Sequence, residues 1–177
     1  FAVDAGYNLV AMVPGLWNRI DICNLGVNIA DMTFDPTTNT MYMVGEVDYS
    51  NMLMRLDLLT GEYETVCDLG SGTVYSIECT DQGELYAIKS ASDKLWKMNW
   101  ETMELEAVME FTTGEYPFYS QSMTFDRANN CLYWAYCTYQ AEGFAIYTID
   151  LDTMTYTKAD FANPSEYVGL LMVEDSV

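Results

Sequence analysis

Met32-Thr33-Phe34-Asp35 recurs, residue for residue, as Met123-Thr124-Phe125-Asp126. Midway between the two copies stands Ile77-Glu78-Cys79-Thr80, and Leu171-Met172-Val173-Glu174 follows near the end. The four segments start 45, 46 and 48 residues apart. Each of the first three leads into a polar turn: Pro36-Thr37-Thr38-Asn39, Asp81-Gln82-Gly83-Glu84 and Arg127-Ala128-Asn129-Asn130. Behind each turn comes a stretch holding a tyrosine, at Tyr42, Tyr86 and Tyr133. A third stretch ends in Leu56-Asp57, Met98-Asn99 and Ile149-Asp150, and a fourth runs through Tyr63–Val66, Leu105–Val108 and Thr155–Lys158. Turn residues bound every stretch, which is the pattern of short strands joined by hairpins.

Four short strands per unit, at a period of about 46 residues, predict an all-β chain of four-stranded antiparallel blades, the signature of a β-propeller. Blades pack on neighbours through both faces, which explains why the strands are apolar on both sides. A β-sandwich rarely repeats at this length, and β-helices use much shorter rungs. Residues 28–72, 73–118 and 119–165 form three complete units. Residues 1–27 read as part of a blade, because Ile22-Cys23-Asn24-Leu25-Gly26 matches the fourth-strand segment Val66-Cys67-Asp68-Leu69-Gly70. Residues 166–177 read as the first strand of a further blade or of the closing one. Two arrangements fit: a four-bladed ring closed by the terminal strand, or an excerpt from a ring of about six to eight blades.

Leu53-Met54-Arg55-Leu56-Asp57-Leu58-Leu59-Thr60-Gly61 and Ile146-Tyr147-Thr148-Ile149-Asp150-Leu151-Asp152-Thr153 resemble the strand-turn segment of the repeat β-propeller superfamily that includes quinoprotein-like and YVTN-type blades. The resemblance covers most of the chain and implies a fold, not an activity. The docking tryptophan that closes blades in the quinoprotein-type members has no counterpart in the fourth strands here, so no quinone cofactor is implied.

Composition narrows the chemistry. Asp and Glu number 27 against 7 Lys and Arg, for a formal charge of −20, which excludes nucleic acid as a natural partner. Half of the chain is hydrophobic, so it has the core of a folded domain. No apolar run approaches the ~18 residues that a spanning helix needs, so no membrane insertion is expected. No histidine is present, which removes Ser-His-Asp and Cys-His catalysis and any imidazole-based zinc site. The five cysteines lack CxxC spacing, and Cys23 and Cys67 sit at matching positions, as small core hydrophobes do. Phe1 is not an initiator, so the chain is expected to be processed or part of a longer one.

The remaining motifs have structural explanations. Asp57, Asn99 and Asp150 hold equivalent turn positions, where side-chain hydrogen bonding alone favours Asp or Asn. Asp150-Leu151-Asp152 lacks the glycine and closing glutamate of a calcium loop. Neither a metal nor a cofactor is expected, and no catalytic residue stands out. Lys89, Lys94 and Lys97 interleave with Trp96 and Trp100, but Trp96 matches Met54 and Tyr147 in register, so this stretch reads as core with a solvated basic edge. The connections between strands four and one, and between strands two and three, emerge on one face of a propeller, where ligands usually bind. They carry Tyr49, Tyr75, Tyr116, Phe118, Tyr119, Tyr139 and Tyr167 as candidate binding residues, with Glu46, Asp48, Asp93, Glu115, Glu142 and Glu166 among them. A tyrosine-rich acidic face suits a protein or glycan ligand. The expected function is therefore a non-enzymatic binding domain of a bacterial secreted or cell-surface protein. The alternatives are a propeller hydrolase or lyase using carboxylates and tyrosine, and a structural spacer.

Overall fold

Each polar turn of the repeat begins with a side chain that accepts backbone N–H groups just ahead of it. Asp35 accepts from Thr37 N–H at 2.8 Å, Thr80 from Gln82 N–H at 3.3 Å, and Asp126 from Ala128 N–H at 3.0 Å. The later turns do the same through Asp57, Asn99 and Asp150, which accept from Leu59, Glu101 and Asp152 N–H at 2.8–2.9 Å. These Asx and ST turns fix where strands stop and fold back. The computed structural model describes residues 1–12, 15–16, 18–90, 92–112, 121–138 and 144–160. Among them are fifteen strands and no helix, and hence no helix long and apolar enough to cross a membrane.

Strands β4 (Asn28–Asp35), β5 (Thr40–Val47), β6 (Ser50–Leu56) and β7 (Tyr63–Asp68) form one antiparallel sheet in that order. The next holds β8 (Val74–Cys79), β9 (Leu85–Lys89), β10 (Lys94–Asn99) and β11 (Glu104–Glu110). The following sheet holds β12 (Ser122–Asp126), β13 (Cys131–Cys137), β14 (Phe144–Asp150) and β15 (Thr155–Asp160). A three-stranded sheet precedes them, β1 (Ala2–Val3), β2 (Asn8–Met12) and β3 (Arg19–Asn24). The Cys23–Cys67 match has a structural counterpart. Cys23 opposes Leu9 and Cys67 opposes Leu53, and each pair adjoins a bulge in the same place.

The three inner strands β4, β8 and β12 lie side by side, each at the edge of its own sheet. The outward N–H groups of β8 and β12 are met by side chains of the preceding inner strand. Ile77 N–H donates to Asp31 Oδ2 at 3.0 Å and Cys79 N–H to Thr33 Oγ1 at 2.9 Å. One blade further on, Met123 N–H donates to Ser76 Oγ at 2.9 Å and Phe125 N–H to Glu78 Oε1 at 3.0 Å. The bridges are themselves linked: Ser76 O–H donates to Asp31 at 2.6 Å and Thr33 O–H to Glu78 at 3.1 Å.

Apolar rows complete the joints. Phe125, Leu132, Ile149 and Tyr156 run across one sheet and pack with Tyr86 of the sheet before it. Cys79, Leu85, Met98 and Leu105 do the same with Tyr42 and Val44. The matching row Phe34, Met41, Leu56 and Tyr63 is less covered: Phe34 is 45% and Tyr63 38% exposed, beside a cavity of about 600 Å³. Met41 and Leu56 of this row pack with Leu9, Ile22 and Cys23 of the three-stranded sheet, while Phe34 and Tyr63 line the cavity. The segment expected to continue or close the ring, 166–177, lies outside the described residues.

Gly61 tests the joint between the first two sheets. Its φ is +74°, and a Cβ there would lie 1.9 Å from Cys23 Sγ. Gly61→Ala is expected to lower the unfolding free energy by about 2 kcal/mol in urea titration. Adding Cys23→Ala should restore part of the loss, since the backbone strain remains. Full stability of the single variant would contradict this packing.

Candidate functional site

The loop face is held together by reciprocal hydrogen bonds between connections. Leu69 N–H donates to Asn51 O at 2.8 Å, tying the β7–β8 connection to the start of β6. Ser90 N–H donates to Thr73 O at 2.7 Å, and Thr73 N–H to Ser90 Oγ at 2.8 Å, tying the same connection to the β9–β10 turn. Phe111 N–H donates to Asp93 O at 2.7 Å and fixes the far side of that turn. Among the described residues these bonds join the start of β6, the β7–β8 connection and the β9–β10 turn.

Tyr49 stands at its edge. Val47 pairs with Ser50, leaving Asp48 and Tyr49 as a two-residue hairpin turn with φ of 49° and 65°. Positive φ at both central residues defines the type I′ turn, where Asn-Gly is preferred. Tyr49 is 96% exposed and so packs against nothing. Tyr75 lies in β8, where the register with β9 skips a residue between Val74 and Ser76, and it is half-buried. Tyr116, Phe118, Tyr119, Tyr139 and Tyr167 lie outside the described residues, as do Glu115, Glu142 and Glu166. Glu46 and Asp48 are exposed and Asp93 is half-buried.

The basic-aromatic stretch differs from a solvated edge at one residue. Lys89 is only 8% exposed; its Nζ donates to Leu69 O at 2.9 Å and lies 5.2 Å from the Trp96 ring. Burial lowers its pKa, and the charge of Asp68 partly offsets the shift. Beside it, the β7–β8 and β9–β10 loops enclose a depression of about 490 Å³.

Two carboxylates that the sequence reading passed over occupy the axial cleft, a cavity of about 410 Å³ between the inner strands. Burial pushes Asp31 up to about 6, against the hydrogen bonds from Ser76, Ile77 N–H and Met32 N–H. Burial pushes Glu78 up to about 7, against the bonds from Phe125 N–H and Thr33, with the charge of Asp31 adding to the rise. Both are bound into the inter-blade bridges, so their geometry is that of joints. No group of three or more metal-ligating side chains occurs among the described residues.

No protein-family model matches the sequence, and none of the curated proteins does. Solved structures do resemble the fold. A chain of the nidogen–laminin complex superposes over 81% of this chain and 53% of its own length, with TM-score 0.62 and 17% identity. TolB from Acinetobacter baumannii matches 88% of this chain and 37% of its own, with TM-score 0.58 and 11% identity. Streptogramin B lyase matches 88% and 44%, with TM-score 0.54 and 14% identity. The chain thus has the β-propeller fold, built of antiparallel blades, and spans about half or less of each of these structures. One of them comes from a protein–protein complex and another is a lyase, so the fold serves both binding and catalysis.

The raised carboxyls set a pH dependence. A folded-state pKa above the unfolded one favours the folded protein fully below the unfolded pKa, and that benefit is lost as pH rises through the folded pKa. For Glu78 the window runs from 4.5 to about 7, and for Asp31 from 3.8 to about 6. Asp57 and Asp150, lowered by turn N–H groups, act oppositely, losing their contribution as pH falls below 3.8. Stability at constant ionic strength is expected to fall between pH 4.5 and 7, with Glu78 accounting for on the order of 2 kcal/mol. Glu78→Gln, which can still accept Phe125 N–H, should flatten that slope in urea titrations across the range. An unchanged slope would show that Glu78 is not buried at the joint.

Proposed function

We propose that the chain is a non-enzymatic binding domain of a bacterial secreted or cell-surface protein, and that it recognises a protein or glycan ligand through its loop face. Tyr49 carries this reading. A bulky residue at positive φ costs on the order of 1 kcal/mol, and nothing in the hairpin calls for a tyrosine there. Strain kept at a fully exposed aromatic, on the face where loops are stitched into a platform, is the pattern of a presented recognition side chain. The rival hydrolase or lyase reading finds support in Glu78, whose raised carboxyl lies in the axial cleft. Against it, the Glu78 carboxyl accepts from Phe125 N–H and Thr33 O–H.

Glycan arrays and cross-linking to identified proteins, run on the wild type and Tyr49→Gly, test the proposal. Glycine suits the turn, so the variant is expected to melt at the same temperature or about 1–4 °C higher. Ligand capture should drop roughly tenfold or more, the effect of losing an aromatic anchor. Undiminished capture by Tyr49→Gly would overturn the proposal, and so would a Glu78→Gln-sensitive hydrolytic or lyase activity on a captured glycan.

A further inference from the structure

We propose that residues 168–173 supply the inner strand of the sheet formed by β1–β3, pairing antiparallel with β1 and meeting β4 through an apolar seam, so that four inner strands surround the axis. The segment lies outside the described residues, and the strands on either side of its place define it. β2 and β3 correspond to β6 and β7: Leu9 opposes Cys23 as Leu53 opposes Cys67, with a bulge beyond each pair. β1 then corresponds to β5, because Ala2 opposes Val10 as Met43 opposes Met54. In the other three sheets the strand at this position has an inner neighbour, whose anchor residue Met32, Ile77 or Met123 opposes Met43, Ala87 or Trp134. Among the described residues β1 has none and forms the edge of its three-stranded sheet. Leu171 opens the fourth copy of the anchor segment, and the shared register sets it opposite Ala2, with Leu170 opposite Val3.

A separate feature of β4 identifies the strand before it. The inter-blade acceptors stand one residue before and one after the anchor residue: Asp31 and Thr33 in β4, Ser76 and Glu78 in β8. Ser122 and Thr124 hold these places in β12, whereas the fourth copy has Leu170 and Met172, which carry no acceptor. A strand that follows the fourth copy must satisfy its anchor N–H by other means, because a bare buried N–H is costly. β4 does so. Met32 N–H donates to Asp31 Oδ1 of its own strand at 2.9 Å, while Ile77 and Met123 N–H donate across to the preceding strand. By strand alternation Leu170 and Met172 share the face turned to β4, and Leu171 and Val173 the face turned to β12. The apolar pair suits the surface it meets. Phe34 is 45% exposed and lines both the cavity of about 600 Å³ and the axial cleft of about 410 Å³. Residues of β4, β8 and β12 line that cleft together, so the inner strands already curve around one axis.

NMR of the uniformly labelled 177-residue chain tests the pairing without any substitution. Backbone Overhauser contacts are expected between Ala2 and Leu171 and between Val3 and Leu170. If residues 168–173 open a further blade instead, they meet β12 and leave β1 without an inner neighbour. Contacts to β12 alone, or to neither strand, would therefore overturn the proposal. A double-mutant cycle reads the seam. Phe34→Ala and Met172→Ala should lower the melting temperature by amounts that fail to add by about 2 °C or more, as touching residues do. Met172→Ala combined with Val108→Ala, on the outer strand β11, should add. Additive losses in the Phe34 and Met172 pair would overturn the apolar seam and the closure drawn from it.

Discussion

An edge strand inside a propeller cannot leave its outward N–H groups bare, because next to the axis they face other protein and not bulk water. A buried, unmatched N–H costs about 1–3 kcal/mol, and β8 and β12 present two each. This chain answers with short polar side chains at alternate positions of the preceding inner strand: Asp31 and Thr33 for β8, Ser76 and Glu78 for β12. The donor and its acceptor stand 46 or 47 residues apart, so the spacing of the repeat is the spacing of these bonds. A blade with an insertion on its inner side would lose both bridges at once.

The bridges set the angle at which sheets meet, and the apolar rows fill what that angle leaves open. Where both operate, the rows through Cys79 and Phe125 lie within the core. At β4 the arrangement differs. Met32 N–H turns to its own neighbour Asp31 at 2.9 Å, and the Phe34 row remains partly exposed. Loops on a frame held this way can diverge without moving the strands.

Much of the architecture was legible because turn chemistry and strand chemistry repeat together. The paired Met-Thr-Phe-Asp segments, the side-chain-capped turns and the Cys23–Cys67 match each reported a local constraint shared between units. The axial carboxylates were harder to see. Asp31 precedes one repeat anchor and Glu78 lies within another, each an ordinary polar residue, and only the approach of strands 46 or 47 residues apart turns them into acceptors. Alternating polar residues on an apolar inner strand were the signal available for them. Lys89 was read as solvated because lysine usually is; its burial follows from the Leu69 carbonyl and the Trp96 ring, which the fold brings together from other strands. Tyr49 was found on the loop face, but its strained turn depends on φ values that a sequence does not carry.

Amide hydrogen exchange followed residue by residue reaches the inter-blade bridges most directly. Ile77, Cys79, Met123 and Phe125 lie on sheet edges, and their N–H groups have side chains as partners. Protection at these four amides comparable to that of the strand interiors, with Cys79 selectively released by Thr33→Val, is the predicted result. Exchange at the four as fast as in open loops, or indifference of Cys79 to the loss of the Thr33 hydroxyl, would contradict the account.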